Sequence, residues 1–349
     1  MKIKVPVKNS PNILRMAIIK LVDNKNLTLQ EASDIIDFIG SGEALPNQIA
    51  VFLTALKIKG ETCEEITGFA LRMREKAFKI DLDEIDNLVD SCGTGGDFSN
   101  TFNISTASAI LASSSGLNVA KHSNFGFTSK CGSSNVIEAL GISLSKTPHE
   151  VKNNLKKHNI AFIHAPYFHK CTSFVNTVRK EIGIRTVFNF LGPLTNPAYP
   201  TGQVLGVANP ELCPKIAETL NNLGCKRALV VNGQNPDMDE ISVCGKTLVY
   251  KLENNKIESF EMHPADFGIK LSKLEDIQGS APEINAKIIK DIFSGKLDNA
   301  KLDATLLNSA ALLWVGNKVN SIEKGIESAK ELISNKIALK KLQELNNAE

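Results

Sequence analysis

Apolar residues recur at helical spacing through residues 12–77, which read as helical throughout. Thr28-Leu29-Gln30-Glu31 and Thr62-Cys63-Glu64-Glu65 are capping boxes ahead of apolar runs, and Gly40-Ser41-Gly42 and Lys59-Gly60 punctuate the helices. In Ile49-Ala50-Val51-Phe52-Leu53-Thr54-Ala55-Leu56 apolar residues surround the helix, which predicts a buried one. The acidic stretch Asp81-Leu82-Asp83-Glu84-Ile85-Asp86 reads as a linker. Beyond it the period changes. Short apolar runs at 88–91, 117–121, 160–164, 203–208, 227–232 and 247–251 read as strands, with helices between them at roughly 104–115, 133–140, 148–158, 172–182 and 211–223. Thr147-Pro148-His149-Glu150 adds a third capping box, with Pro at the first helical position. The last third is helical again and ends in a polar tail, Asn346 to Glu349, read as frayed. The pattern predicts an α/β fold: a small all-helical domain over 1–77, and a larger domain over 86–349 built on a mainly parallel central sheet.

A length of 349 residues with 42% hydrophobic side chains is enough for a large core, and 22% charged residues is ordinary for a soluble globule. A net charge of +2 disfavours a nucleic-acid surface. The seven cysteines are scattered without a Cys-x-x-Cys pair, which fits reduced thiols and disfavours zinc. Met1 to Val7 carries lysines but no apolar signal core, and no run reaches membrane-spanning length, so a cytoplasmic protein is expected.

Chemistry concentrates first in Asp90-Ser91-Cys92-Gly93-Thr94-Gly95-Gly96-Asp97 and Asn103-Ile104-Ser105-Thr106. Asn87-Leu88-Val89 reads as the end of a buried strand and Ile104 to Leu111 as a helix, so the glycines lie in a strand-to-helix turn. Such a turn presents unbonded amides and the helix dipole to an anion, here a phosphate or diphosphate. The spacing matches neither the Walker A loop nor the dinucleotide fingerprint, whose third glycine would fall at Phe98. A second cluster, Lys121-His122-Ser123-Asn124 with Ser129-Lys130-Cys131-Gly132-Ser133, follows a strand and suits an anionic ligand. A third runs from Arg179 through Arg185 and Asn189 to Leu191-Gly192-Pro193-Leu194-Thr195-Asn196-Pro197, a Gly/Pro/Asn-rich turn in which Arg179 could clamp a carboxylate. The fourth, Asp237-Met238-Asp239-Glu240, follows the strand Val230-Val231-Asn232 and offers adjacent carboxylates to Mg2+.

In this order the four clusters, with Glu138-Ala139-Leu140-Gly141, Ala165-Pro166 and His263-Pro264-Ala265-Asp266-Phe267-Gly268, resemble the anthranilate phosphoribosyltransferase family over nearly the whole chain. The resemblance implies the nucleoside phosphorylase/phosphoribosyltransferase-like fold, with the helical domain completed by helices near 172–195 and a homodimer formed through it. It implies Mg2+-dependent transfer of phosphoribosyl from 5-phosphoribosyl 1-diphosphate (PRPP) to the amine of anthranilate, a step of tryptophan biosynthesis. By position, Gly93, Thr94, Gly95, Gly96, Asp97, Asn103, Ser105, Thr106, Lys121 and Ser133 would hold PRPP. Gly93, His122, Asn124, His169 and Arg179 would meet anthranilate, and Ser105, Asp239 and Glu240 would bind Mg2+. No general base is assigned, because the arylamine carries a free lone pair.

The chain departs from the family pattern at several places. Lys-His-Gly-Asn-Arg becomes Lys121-His122-Ser123-Asn124-Phe125, Gly-Ser-Ala-Asp becomes Gly132-Ser133-Ser134-Asn135, and His-Pro becomes His169-Lys170. Ser123 places a Cβ where the family has none. These read as subfamily variation. Two rival readings are a pyrimidine nucleoside phosphorylase and a non-catalytic, nucleic-acid-binding paralogue. Asp239-Glu240 and Arg179 count against the first, as does a length without room for its further C-terminal domain. The charge balance and the intact acidic pair count against the second.

Overall fold

The computed structural model describes residues 13–126, 130–170 and 173–347. The readings at Met1–Val7, Ser129, Cys171 and the last two residues of the tail lie outside these.

Four helices open the chain: α1 (Ile13–Val22), α2 (Leu29–Gly40), α3 (Pro46–Lys59) and α4 (Cys63–Lys76). Thr28 and Thr62 cap α2 and α4 reciprocally with Glu31 and Glu65, as their spacing predicts. The fully buried Glu65 also accepts the Leu27 N–H at 2.8 Å and pairs with Lys59 at 2.9 Å, so one carboxylate joins α4, α3 and the loop that leads into α2. Between α4 and the sheet, Asp81 and Glu84 pair with Lys152 and Lys156, which ties the acidic linker to the second layer.

The second layer begins with β1 (Val89–Gly93), α5 (Ile104–Ser113), β2 (Val119–Ser123), α6 (Ser133–Ala139), α7 (Pro148–His158) and β3 (Ile160–His164). Thr147 caps α7, but the Glu150 carboxylate accepts the Lys146 N–H rather than that of Thr147, so the third box is half formed. Then come α8 (Ala165–Phe168), α9 (Ser173–Ile182), α10 (Phe188–Leu194), β4 (Gly202–Gly206), α11 (Cys213–Asn222), β5 (Arg227–Gly233), β6 (Thr247–Glu253) and β7 (Lys256–Met262). Four helices close the chain: α12 (Pro282–Phe293), α13 (Ala300–Val315), α14 (Ile322–Ser334) and α15 (Ile337–Asn346). Helix α15 runs into the segment read as a frayed tail. No helix among the described residues is long and apolar enough to cross a membrane.

The seven strands form one sheet in the order β3-β2-β1-β4-β5-β6-β7, parallel from β3 to β5 and antiparallel beyond. Side chains alternate across it. On β5, Leu229 and Val231 join the core beneath α5, α6 and α12–α15, whereas Ala228 and Val230 join the core shared with α1–α4 and α9–α11. The opening helices therefore share one core with a face of the sheet. Strand β7 escapes the sequence pattern because its residues are exposed up to Met262, with Ile257 and Phe260 isolated among polar ones; it is paired to β6 through Asn254 and Asn255, both at positive φ, as a two-residue hairpin turn requires. Helix α3 is not buried all round: Ile49, Phe52, Leu53 and Leu56 are, but Val51 and Ile58 are 49% and 82% exposed.

Candidate active site at the carboxyl ends of the strands

The chain moves from β1 outward through β2 to β3, then returns to the other side of β1 with β4. Ligands in open α/β sheets collect at such a reversal, beyond the carboxyl ends of the strands. The glycine loop follows β1, Lys121-His122 lie in the last residues of β2, and Asp239-Glu240 follow β5, so all sit at that end.

The glycine loop is built around Asp239. The Gly95 N–H donates to Asp239 Oδ2 at 2.7 Å, and the Asp239 N–H reaches Asp97 Oδ2 at 3.4 Å. Any Cβ on Gly206 would lie 1.6 Å from the Asp239 carbonyl oxygen, so the acidic turn closes down on β4 only because that residue has no side chain. Glu240 reaches the other half of the site, where Oε1 accepts the Ser105 N–H at the start of α5 at 3.2 Å. Two amides that an oxyanion would take are thus held by carboxylates. Met238, fully buried in the core, anchors the turn from below.

Burial, Asp97 and other neighbours raise Asp239 to about 7; burial and Asp239 raise Glu240 as well, against the pull of Lys121. Carboxylates crowded this way call for a cation. No ready-made cage of three metal-ligating side chains is assembled among the described residues. Mg2+ does not need one, since it typically takes one or two carboxylates and completes its shell with water and substrate phosphate. The donor set therefore fits the ion.

Alternation along β2 sends Lys121 and His122 to opposite faces. The Lys121 side chain is buried and donates to the Ser91 carbonyl and, at 3.2 Å, to Ser105 Oγ. His122 Nδ1 lies 3.0 Å from the Gly192 carbonyl of α10. A carbonyl only accepts, so Nδ1 carries the proton and Nε2 is left as an acceptor, buried and without a hydrogen-bond partner among the described residues. The His169 ring stands edge-on to it at 5.3 Å. Burial is the main force lowering His122 to about 3, with His169 adding to it, and burial lowers His169 to about 4. Arg179, half-buried on α9, stacks 5.9 Å from the Phe188 ring. Helix α10 thereby meets Arg179 through Phe188 and His122 through Gly192, four residues further on.

The remaining predicted residues divide. Thr94 is bound to β4, its N–H to the Gly206 carbonyl at 2.9 Å and its hydroxyl to the Ala208 N–H at 3.1 Å. Ser133 Oγ accepts the Asn124 N–H at 3.2 Å, which places Ser133 and Asn124 side by side. Asn103 is engaged by the protein: its amide donates to the Cys131 carbonyl and accepts from Asn285 at 2.9 Å. Thr106 is fully buried, with its hydroxyl unpartnered among the described residues.

The departures from the family pattern support one another. Ser123 turns its hydroxyl inward, donating to the Ile163 carbonyl at 3.1 Å and accepting from Ser134 at 3.3 Å, and Ser134 Oγ lies 3.0 Å from His164 Nδ1. Phe125 rests edge-on against His164 at 4.7 Å. Asn135 Oδ1 accepts the N–H groups of Gly126 and Gly132, pinning both ends of the loop between β2 and α6. None of these side chains obstructs the glycine loop or the acidic pair.

A family model described as a glycosyl transferase family a/b domain matches residues 85–339, and its helical bundle companion matches residues 15–77. The anthranilate phosphoribosyltransferase of Acetivibrio thermocellus is 50% identical over 332 residues, covering 95% of each chain. The crystal structure of the Thermus thermophilus enzyme superposes with a TM-score of 0.88 at 34% identity, over 95% of this chain and 98% of that one. The Saccharomyces cerevisiae enzyme, solved in complex with PRPP and Mg, gives 0.88 at 30% identity, over 96% of this chain and 97% of that one. Together with a matching two-layer fold and the four clusters gathered at one strand-end crevice, these similarities place the chain in the anthranilate phosphoribosyltransferase family.

Proposed function

We propose that this chain transfers the phosphoribosyl group of PRPP to the amine of anthranilate, releasing diphosphate, with Mg2+ held by Asp239, Glu240 and Ser105. The observation that carries the reading is the juxtaposition of a glycine-turn amide nest, a buried lysine and a crowded acidic pair on one side of β2, with His122 and Arg179 each set against α10 on the other. A bound Mg2+ would neutralise the charge of the leaving diphosphate. The amides of Gly95 and Ser105, freed as the carboxylates turn to the ion, would take the diphosphate oxygens together with Lys121, Gly93, Gly96 and Ser133.

On the acceptor side, Arg179 offers a fork for the anthranilate carboxylate, and Asn124, Gly93 and His169 line the approach. His122 Nε2 is suited to accept an amine N–H and so aim the nitrogen lone pair at ribose C1. Both imidazoles are held neutral, and their low pKa values make them weak bases. Rate acceleration then comes from positioning the amine opposite the leaving group and stabilising that group's charge. Arg179→Ala is expected to raise the anthranilate KM at least tenfold, about 1.4 kcal/mol or more, with less than threefold effect on the PRPP KM. Steady-state kinetics on both substrates checks this; equal changes would defeat the assignment.

The reading includes a homodimer through the helical layer. Met16, Ile19 and Val22 of α1 and Val51 and Ile58 of α3 are exposed, a wide apolar face for one soluble chain. Light scattering should give twice the 37.9 kDa chain mass for the native protein and a single chain mass for Val51→Glu/Ile58→Glu. A native monomer would contradict it.

A further inference from the structure

The glycine loop sends its amides and its carbonyls to opposite sides. Gly95 and Gly96 sit in succession at φ +67° and +74°, a pair of left-handed residues that turns the peptide groups over. On the cleft side the Gly95 N–H meets Asp239 at 2.7 Å. On the other side both carbonyls meet Arg185, whose Nη2 donates to Gly95 O at 2.8 Å and Nη1 to Gly96 O at 2.5 Å. A Cβ on Gly96 would fall 2.0 Å from Nη1, so the guanidinium lies directly against the loop.

Arg185 reaches this place from a braced corner between α9 and α10. The Gly183 N–H closes α9 on the Arg179 carbonyl, the Thr186 N–H donates to Asn189 Oδ1 at 2.8 Å, and Thr186 and Val187 are buried. The backbone is held although the side chain is exposed. A planar fork carrying parallel donors suits two adjacent carbonyls, where a lysine could offer only a point charge.

We propose that Arg185 is a positioning residue for the diphosphate subsite. It never touches the ligand. By drawing the Gly95 and Gly96 carbonyls outward it keeps their negative ends out of the anion site and leaves the loop amides aimed inward, ordered before the ligand arrives. This rests on the reading that the glycine loop takes the diphosphate of PRPP. Because the corner that carries Arg185 also follows Arg179 on α9, the acceptor pocket and the donor loop are built on one continuous segment.

The test compares native protein, Arg185→Ala and Arg185→Lys by calorimetric titration with pyrophosphate in the presence of Mg2+, beside kinetics on both substrates and thermal melting. Expected for Arg185→Ala is about a ten- to hundredfold weaker pyrophosphate Kd and a PRPP KM raised in proportion. The anthranilate KM should stay within threefold and the fold should be retained. Arg185→Lys should recover only part of the loss, and free guanidinium at millimolar concentration should rescue Arg185→Ala but not Arg185→Lys. Pyrophosphate affinity within twofold of native in both variants would overturn the proposal. So would equal losses on both substrates, which would mark a loop staple and nothing more. The titration needs no turnover. Native protein that binds pyrophosphate but does not consume anthranilate would therefore sink the proposed reaction while still judging Arg185; native protein that binds none would sink both.

Discussion

Replacing Asp239 by Asn and Glu240 by Gln together should cost at least about a thousandfold in activity, on the scale of losing a preorganised charge-stabilising group, while making the free protein more stable. The two effects have one origin. In an unfolded chain both carboxyls ionise near pH 4. In the folded protein burial and the neighbouring acids hold Asp239 up to about 7 and raise Glu240 as well. A folded-state pKa above the unfolded one means that folding favours the protonated acid. The pair's contribution to stability is therefore best below about pH 4, declines as pH rises through the folded-state values, and is least above them. Without Mg2+ the native protein should melt progressively below the Asn/Gln variant between pH 5 and pH 8. Adding Mg2+ with pyrophosphate should raise the native melting temperature and leave the variant's unchanged. Full activity in the variant, or an equal Mg2+ response, would remove the metal role from this pair.

Lys121→Met should lose about a hundred- to a thousandfold in activity, most of it in the PRPP KM, by removing a buried cation from the diphosphate side. Unlike the acidic pair, it should destabilise the fold. Lys121 opposes the raised pKa of both Asp90 and Glu240, and without it the fully buried Asp90 keeps, among the described residues, Asn196, the His122 N–H and Cys92 as partners. Removing a counter-charge from buried carboxylates is costly because the charge left behind has no water to replace it. Melting and kinetics measured together separate the two losses: a variant that melts normally yet fails on PRPP identifies a ligand contact, and one that melts early but keeps its PRPP KM identifies a structural counter-ion.

Six of the strands are legible in the sequence because each is a short apolar run between turn residues, and the glycine loop because strand, glycines and helix follow one another directly. Elements whose stability comes from neighbours are not. Helix α10 hides behind Gly192 and Pro193, which read as a turn until the Asn189 side chain and the packing of Phe188 and Leu191 are seen. Strand β7 carries hardly any buried surface of its own. The all-round apolar character of α3 signals a demand for burial, but one face of that demand is not met among the described residues. Within the site, residue type and spacing point to Lys121, His122, Arg179 and the acidic pair. They do not show that Asn103 is occupied by Cys131 and Asn285, that Thr106 faces inward, or that Arg185 grips carbonyls 89 and 90 positions earlier. Those facts depend on which way a side chain leaves its element, and local pattern does not encode it.

The measurement that tests the central claim most directly is the loss of anthranilate fluorescence on mixing purified protein, PRPP, Mg2+ and anthranilate, with each component omitted in turn. The account predicts consumption only when all four are present, with one pyrophosphate released per anthranilate consumed. Folded protein that binds PRPP and Mg2+ yet leaves anthranilate untouched would contradict it, and would turn attention to another amine acceptor for the Arg179 and His122 pocket.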